Sequence, residues 1–117
     1  MSAEPILLNA ADLGTSTTAQ CFEGRQHGAG VAVSFFLNHT EPGRGPGNHR
    51  HPYPEVFVVQ DGMAAFVVDG ATLTARGGQI VVVPAGATHA FRNAGSRTLE
   101  MISIHPAAEM VTEWDER

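Results

Sequence analysis

Two histidines and a glutamate stand close together in GNHRHPYPE, residues 47–55 of a chain with only six histidines. Imidazole nitrogens and carboxylate oxygens are donors to transition metals, so His49-x-His51-x3-Glu55 raises metal binding against the simpler reading of a polar surface loop. In an extended chain, residues of one parity share a face. His49, His51, Glu55, Phe57 and Val59 all have odd numbers, so the three donors are expected to point where Phe57 and Val59 point. Alternate Cα atoms lie about 6.5–7 Å apart, a gap that two imidazoles can close on one ion with bonds of about 2.0–2.2 Å. Pro52 and Pro54 remove two backbone donors and put the strand's start at an edge or bulge, which leaves Glu55 free to lean toward the same ion. A fourth donor must come from a separate segment. His89, in PAGATHAFRN, shares parity with Phe91 and Asn93 and is the natural candidate. Three imidazoles and one carboxylate suit one divalent transition metal per chain (Fe, Mn, Ni, Zn, Co or Cu) rather than calcium or magnesium, which prefer all-oxygen surroundings.

The elements that must position these donors read as strands. Short runs rich in Val, Phe and Ile fall at 17–23, 30–39, 55–60, 63–69, 71–76, 79–83, 88–93 and 97–105. Turn signals such as Asp61-Gly62, Asp69-Gly70 and Pro84-Ala85-Gly86 separate them, and Asp-Gly between apolar runs marks a hairpin. About eight closely spaced strands without a helical period predict an all-β sandwich or barrel. The expected organisation is one domain over 1–117, with a core barrel of about 17–105 and a C-terminal tail, 106–117. Helix is expected only in that tail, where Met110, Val111 and Trp114 are spaced to dock on the barrel or on a second subunit. GRGPG, residues 43–47, reads as a flexible loop that delivers the chain to His49.

Composition excludes several classes. The formal net charge is −5 and basic residues are not clustered, which argues against nucleic acid as a partner. No run approaches the roughly 20 apolar residues of a membrane span. The N-terminal MSAEPILLNAADLG lacks the basic start of a secretion signal, and the lone Cys21 has no internal disulfide partner, so a cytoplasmic location is expected. The absence of lysine, with abundant Ala, Gly and Val, suggests a bacterial origin from a GC-rich genome.

Gly43-x5-His49-x-His51-x3-Glu55-x6-Gly62 and Gly78-x5-Pro84-x-Gly86-x2-His89-x3-Asn93 match the two signatures of the cupin superfamily at every fixed position. The sequence resembles a small single-domain cupin, with 15 residues between the motifs. The resemblance implies a double-stranded β-helix, or jelly-roll, barrel with a metal inside and one open mouth. It also implies His49, His51, Glu55 and His89 as ligands, with Gly62, Gly78, Gly86 and Pro84 in turns.

Four protein ligands on a six-coordinate ion leave two positions for a small molecule or for O₂. The expected function is a metal-dependent oxidoreductase of dioxygenase type acting on a hydroxylated aromatic or enolisable substrate. A redox-neutral isomerase or polyketide-type cyclase is the alternative, and a non-catalytic binder of a small molecule or metal is a third. Glu55 is the candidate catalytic residue, as a proton shuttle in keeping with the family. Phe57 and Phe91 follow the ligand parity into the pocket; Tyr53 could offer its hydroxyl to substrate and His39 could stand at the mouth. His105, before Pro106, reads as a structural hydrogen-bonder, and Arg50 alternates away from the metal face. A barrel this small, with open strand edges and Trp114 in its tail, is expected to form a homodimer.

Overall fold

The computed structural model describes residues 4–115. After a 3₁₀ turn at Ala10–Leu13 come β1 (Gly14–Ser16), β2 (Ala19–Glu23), one helical turn α1 (Gly24–His27), β3 (Ser34–Thr40) and β4 (His49–Arg50). They are followed by β5 (Glu55–Asp61), β6 (Met63–Val68), β7 (Ala71–Arg76), β8 (Ile80–Val83), β9 (His89–Asn93), β10 (Leu99–His105) and β11 (Glu113–Trp114). The strands form two antiparallel sheets, one of six in the order β1-β2-β3-β10-β5-β8 and one of five in the order β11-β4-β9-β6-β7. This is the jelly roll that the strand pattern and the family resemblance predict.

Period-two burial is the force that sets the register. In β5, Glu55, Phe57 and Val59 are buried while Val56 and Val58 are not; in β10, Leu99, Met101, Ser103 and His105 are buried in the same alternation. The two inner faces meet in a core centred on Phe57, Phe66, Leu99 and Met101, all with at most 1% exposure. Burying one such side chain contributes about 1.5–3 kcal/mol. The Phe57 and Phe66 rings meet edge to face, 5.0 Å between centroids and 67° between planes, and Phe57 meets Phe91 at 5.8 Å and 66°. This aromatic layer fills one end of the barrel and leaves the other end hollow.

Turn chemistry completes the topology. Asp69 and Gly70 both have positive φ, 47° and 82°, and join Val68 to its pairing partner Ala71 in the tight hairpin that Asp-Gly predicts. The glycine-rich loop before β4 is clamped rather than free. A Cβ on Gly45 would lie 1.9 Å from the Phe91 carbonyl oxygen, so only glycine lets the loop lie flush on β9. Asn93 ties it further: its buried amide nitrogen donates to the Thr40 and Arg97 carbonyls, its amide oxygen accepts from Gly95, and its backbone pairs with Gly43 and Arg44.

Two expectations need correction. The described part of the tail is not helical: it bends after His105, and β11 pairs with β4, Trp114 opposite His49 and Glu113 opposite Arg50. Cross-strand pairing and the His49 ring give Trp114 more than an exposed helical turn can, and residues 116–117 lie outside the described part. Secondly, the described residues form eleven strands where about eight were expected, because β1, β4 and β11 span two or three residues, too short to carry a period of their own.

Replacing Asn93 by leucine strands two carbonyls and one N–H in a closed space, each worth about 1–3 kcal/mol. Urea unfolding of Asn93→Leu should show a loss on the order of 3 kcal/mol; a loss under 1 kcal/mol would show that the loop holds without it.

Candidate metal centre

The open end of the barrel is where the donors meet. His49 on β4 lies directly opposite His89 on β9, in the five-stranded sheet. His51 follows two residues after His49 and Glu55 opens β5, so the carboxylate reaches the histidines from the opposite sheet. All four side chains are buried, and one donor atom from each lies within 4.8 Å of the others.

Hydrogen bonding fixes the tautomers. Nδ1 of His49 lies 2.8 Å from the Gly47 carbonyl, Nδ1 of His51 2.9 Å from the Val111 carbonyl, and Nδ1 of His89 2.9 Å from the Ala87 carbonyl. A carbonyl only accepts, so each Nδ1 carries its proton and each neutral ring directs the Nε2 lone pair inward. Nε2 of His51 and His89 stand 2.9 and 3.0 Å from Oε1 of Glu55. Nε2 of His51 is buried without a well-aligned hydrogen bond. Lone pairs facing a carboxylate in a dry site repel one another unless a cation or extra protons lie between them. The donor set therefore fits a single divalent transition metal, with backbone carbonyls orienting the rings.

The charges respond to this geometry. Burial would raise the Glu55 carboxyl, but the hydrogen bond from His105, and those from His51 and His89 once extra protons rather than a cation lie between them and the carboxylate, outweigh it and hold the group far below the ordinary carboxylate range. Burial also opposes the charge on His51, yet the contacts with Glu55 and the Val111 carbonyl raise it. Burial lowers His49 by more than its bond to the Gly47 carbonyl raises it, and the neighbouring imidazoles add to the lowering.

A second chain of contacts reaches Glu55 from behind. His105 on β10 places Nε2 3.1 Å from the other carboxylate oxygen, Oε2. Its Nδ1 lies 2.6 Å from the Tyr53 hydroxyl, which in turn accepts from the Val111 N–H at 3.1 Å. Directed consistently, the protons run Val111 N–H to Tyr53, Tyr53 O–H to His105, and His105 Nε2–H to Glu55.

Above the donors opens a cavity of about 610 Å³. Phe36, Phe57 and Phe91 supply its flat apolar walls, while Asn38, bonded to Ser103 at 3.2 Å, gives it one polar edge. The tail closes one side, with the Trp114 ring 4.7 Å from that of His49. Phe57 and Phe91 line the cavity where parity puts them. Tyr53 and His39 do not line it. The Tyr53 hydroxyl is committed to His105 and Val111, and His39 faces outward on β3, bound to Glu100 and Gln20. His39 pairs with Glu100 in the outward parity of β10, which is why the cavity is closed to it. Arg50 points away from the donors to Glu113. Sequence reasoning missed Phe36, Asn38, Ser103 and Trp114 as cavity residues; the odd parity that buries Ser103 with His105 was the one signal available.

A jelly roll with three inward imidazoles and a carboxylate at its open end defines the class of fold and site. The cupin domain pattern matches residues 36–105, and the chain belongs to the cupin family. A polyketide synthase protein, CurC of Streptomyces cyaneus, is 31% identical over 100 residues, covering 85% of this chain. The chain spans about three fifths (61%) of the length of that relative. Among solved structures, oxalate decarboxylase of Bacillus subtilis superposes with a TM-score of 0.82 over 97% of this chain and 32% of its own, at 14% identity. A second structure of that enzyme, described with Mn(II) centres, gives a TM-score of 0.73 at 22% identity over 84% of this chain and 28% of its own. At such identities the likeness is one of fold. No helix among the described residues is long and apolar enough to cross a membrane.

The pH dependence of the metal-free protein follows from these groups. The lowered Glu55 stabilises the fold above its ordinary value of 4.5, and that contribution drains away as pH falls below it. Around 6.5, the raised His51 loses its contribution as pH rises while the lowered His49 gains, so the two oppose each other. Thermal unfolding of the metal-free chain should fall to lower temperature as pH drops below about 4.5. Glu55→Gln should show a shallower acid fall; an equally steep fall in that variant would place the responsible carboxylate elsewhere.

Proposed function

We propose that this cupin holds one divalent transition metal through His49, His51, Glu55 and His89 and acts on an enolisable, hydroxylated ring of polyketide type without net oxidation. The observation that carries the reading is the convergence of the four donors, with His49, His51 and Glu55 lining a 610 Å³ cavity walled by phenylalanines. Cavities of this size bury most of a molecule of two or three rings. When bound, the metal would act as a Lewis acid on a ring oxygen. The chain's own residues do the rest. Phe57 and Phe91 hold the ring flat, Asn38 and Ser103 offer hydrogen bonds to its oxygens, and the phenylalanine walls keep water from the reacting carbons. Glu55 Oε2 and His105 Nε2 form a site where a proton taken from the ring can be held and returned, with Tyr53 fixing the His105 ring. The similarity to a polyketide synthase protein supports this reading over oxygenation. The open coordination positions left by a four-donor set keep dioxygenase chemistry on a catechol or enediol as the second reading.

Loading the protein in turn with each candidate metal, and incubating it with phenolic and 1,3-diketone rings, separates these readings. Redox-neutral chemistry gives products of unchanged mass, or of mass lowered by one water, with no oxygen uptake, and stops when the metal is removed. Dioxygenation adds both atoms of one O₂ and consumes oxygen in proportion. Return of every bound compound unchanged, with every metal, would leave a binding protein.

His105→Ala and Tyr53→Phe should lower kcat by about 10²-fold or more while leaving metal stoichiometry intact. Full activity in both would remove the proton-holding role from this chain.

A further inference from the structure

The phenylalanine-walled cavity has a neighbour. A second cleft, of about 630 Å³, is lined by Arg50, Asp69, Thr88, Glu113 and Asp115. Its walls are polar: Arg50 pairs with Glu113, and Asp69 accepts the Thr88 N–H at 2.9 Å. Two residues line both hollows, His49 and Trp114. His49 is a metal donor held in the sheet by β9 as well as β11, so the side chain that divides the two spaces is the indole of Trp114.

Register puts it there. Trp114 lies directly opposite His49 across β11 and β4, and cross-strand partners share a face. The indole therefore turns to the same side as the His49 imidazole, 4.7 Å between ring centroids and 39° between planes. The main chain is anchored before and after it. The Val111 carbonyl accepts from Nδ1 of His51, the Val111 N–H donates to Tyr53, and the Asp115 N–H donates to the Asn48 carbonyl at 3.0 Å. Trp114 is 56% exposed, so core packing does not call for an indole at this position. What the ring supplies is a large, flat and rigid surface between two openings.

We infer that Trp114 sets the length of the ring system that this site accepts, by separating the apolar cavity from the polar cleft. The inference rests on the proposed reading of the site as one that binds rings. A flat ring between Phe57 and Phe91, with an oxygen at the donors, meets the indole where it would pass beyond His49. With the indole in place, two or three rings are buried and a longer system is stopped. Without it, a fourth ring passes over His49 into the cleft, whose polar walls suit an oxygen carried on that far end. Trp114→Ala removes the wall and keeps the main-chain bonds that orient His51 and Tyr53, so the donors stay as they are.

Two colourless probes read this without turnover. One is 2-naphthol; the other is equilenin, a 2-naphthol lengthened by two further rings with a ketone at its far end. Binding beside the metal is followed through the visible absorption of the cobalt(II)-loaded protein. The wild-type protein should hold 2-naphthol about 10-fold or more tighter than equilenin, and Trp114→Ala should move that ratio about 30-fold toward equilenin. Trp114→Phe, which keeps a flat wall, should recover most of the wild-type preference, with one cobalt per chain in all three proteins. An unmoved ratio in Trp114→Ala, or a wild-type protein that binds both probes equally, would overturn the inference while the ring-binding reading stands. Cobalt bands that neither probe perturbs in any of the three proteins would remove that reading and this inference with it.

Discussion

A carboxylate buried among imidazoles is the interaction on which the rest of this structure depends. Glu55 crosses from the six-stranded sheet to meet His49, His51 and His89 on the other side of the barrel. An ionised group in so dry a place is costly unless positive charge lies beside it. The backbone carbonyls that accept from each Nδ1 deny the histidines their easiest way to point a proton at it. A cation shared by the four donors would resolve the tension.

Each sheet accordingly has a separate task. The five-stranded sheet delivers three imidazoles and takes on the tail, whose β11 strand braces β4 and whose Val111 backbone reaches both His51 and Tyr53. The six-stranded sheet delivers Glu55 and His105 inward. The phenylalanine layer separates the packed end of the barrel from the hollow one, so the cavity is set by the same residues that make the core. Asn93 and the close approach at Gly45 then fix the glycine-rich loop beside the opening.

Much of this was legible in the chain. Odd parity placed His49, His51, Glu55, Phe57 and Phe91 on the inner face, because a strand with one dry side allows no other register. Asp69-Gly70 announced its hairpin through the positive φ that both positions adopt. What escaped were contacts made by elements with no period of their own. β4 and β11 span two residues each and exist only as partners of one another and of β9. The apparent helical spacing of Met110, Val111 and Trp114 gave way to those pairings, with Met110 set against Cys21 and Trp114 against His49. Tyr53 and His105 are far apart in sequence, and no spacing rule joins them; their link to Glu55 becomes visible only once β10 lies beside β5.

The most direct measurement of the central claim is an anomalous-scattering map from crystals of the metal-loaded protein. The account predicts one strong peak per chain, bonded to Nε2 of His49, His51 and His89 and to a carboxylate oxygen of Glu55. A peak at any other place, ligation through Nδ1, or a barrel that takes up no transition metal while these four side chains keep their present positions would contradict it.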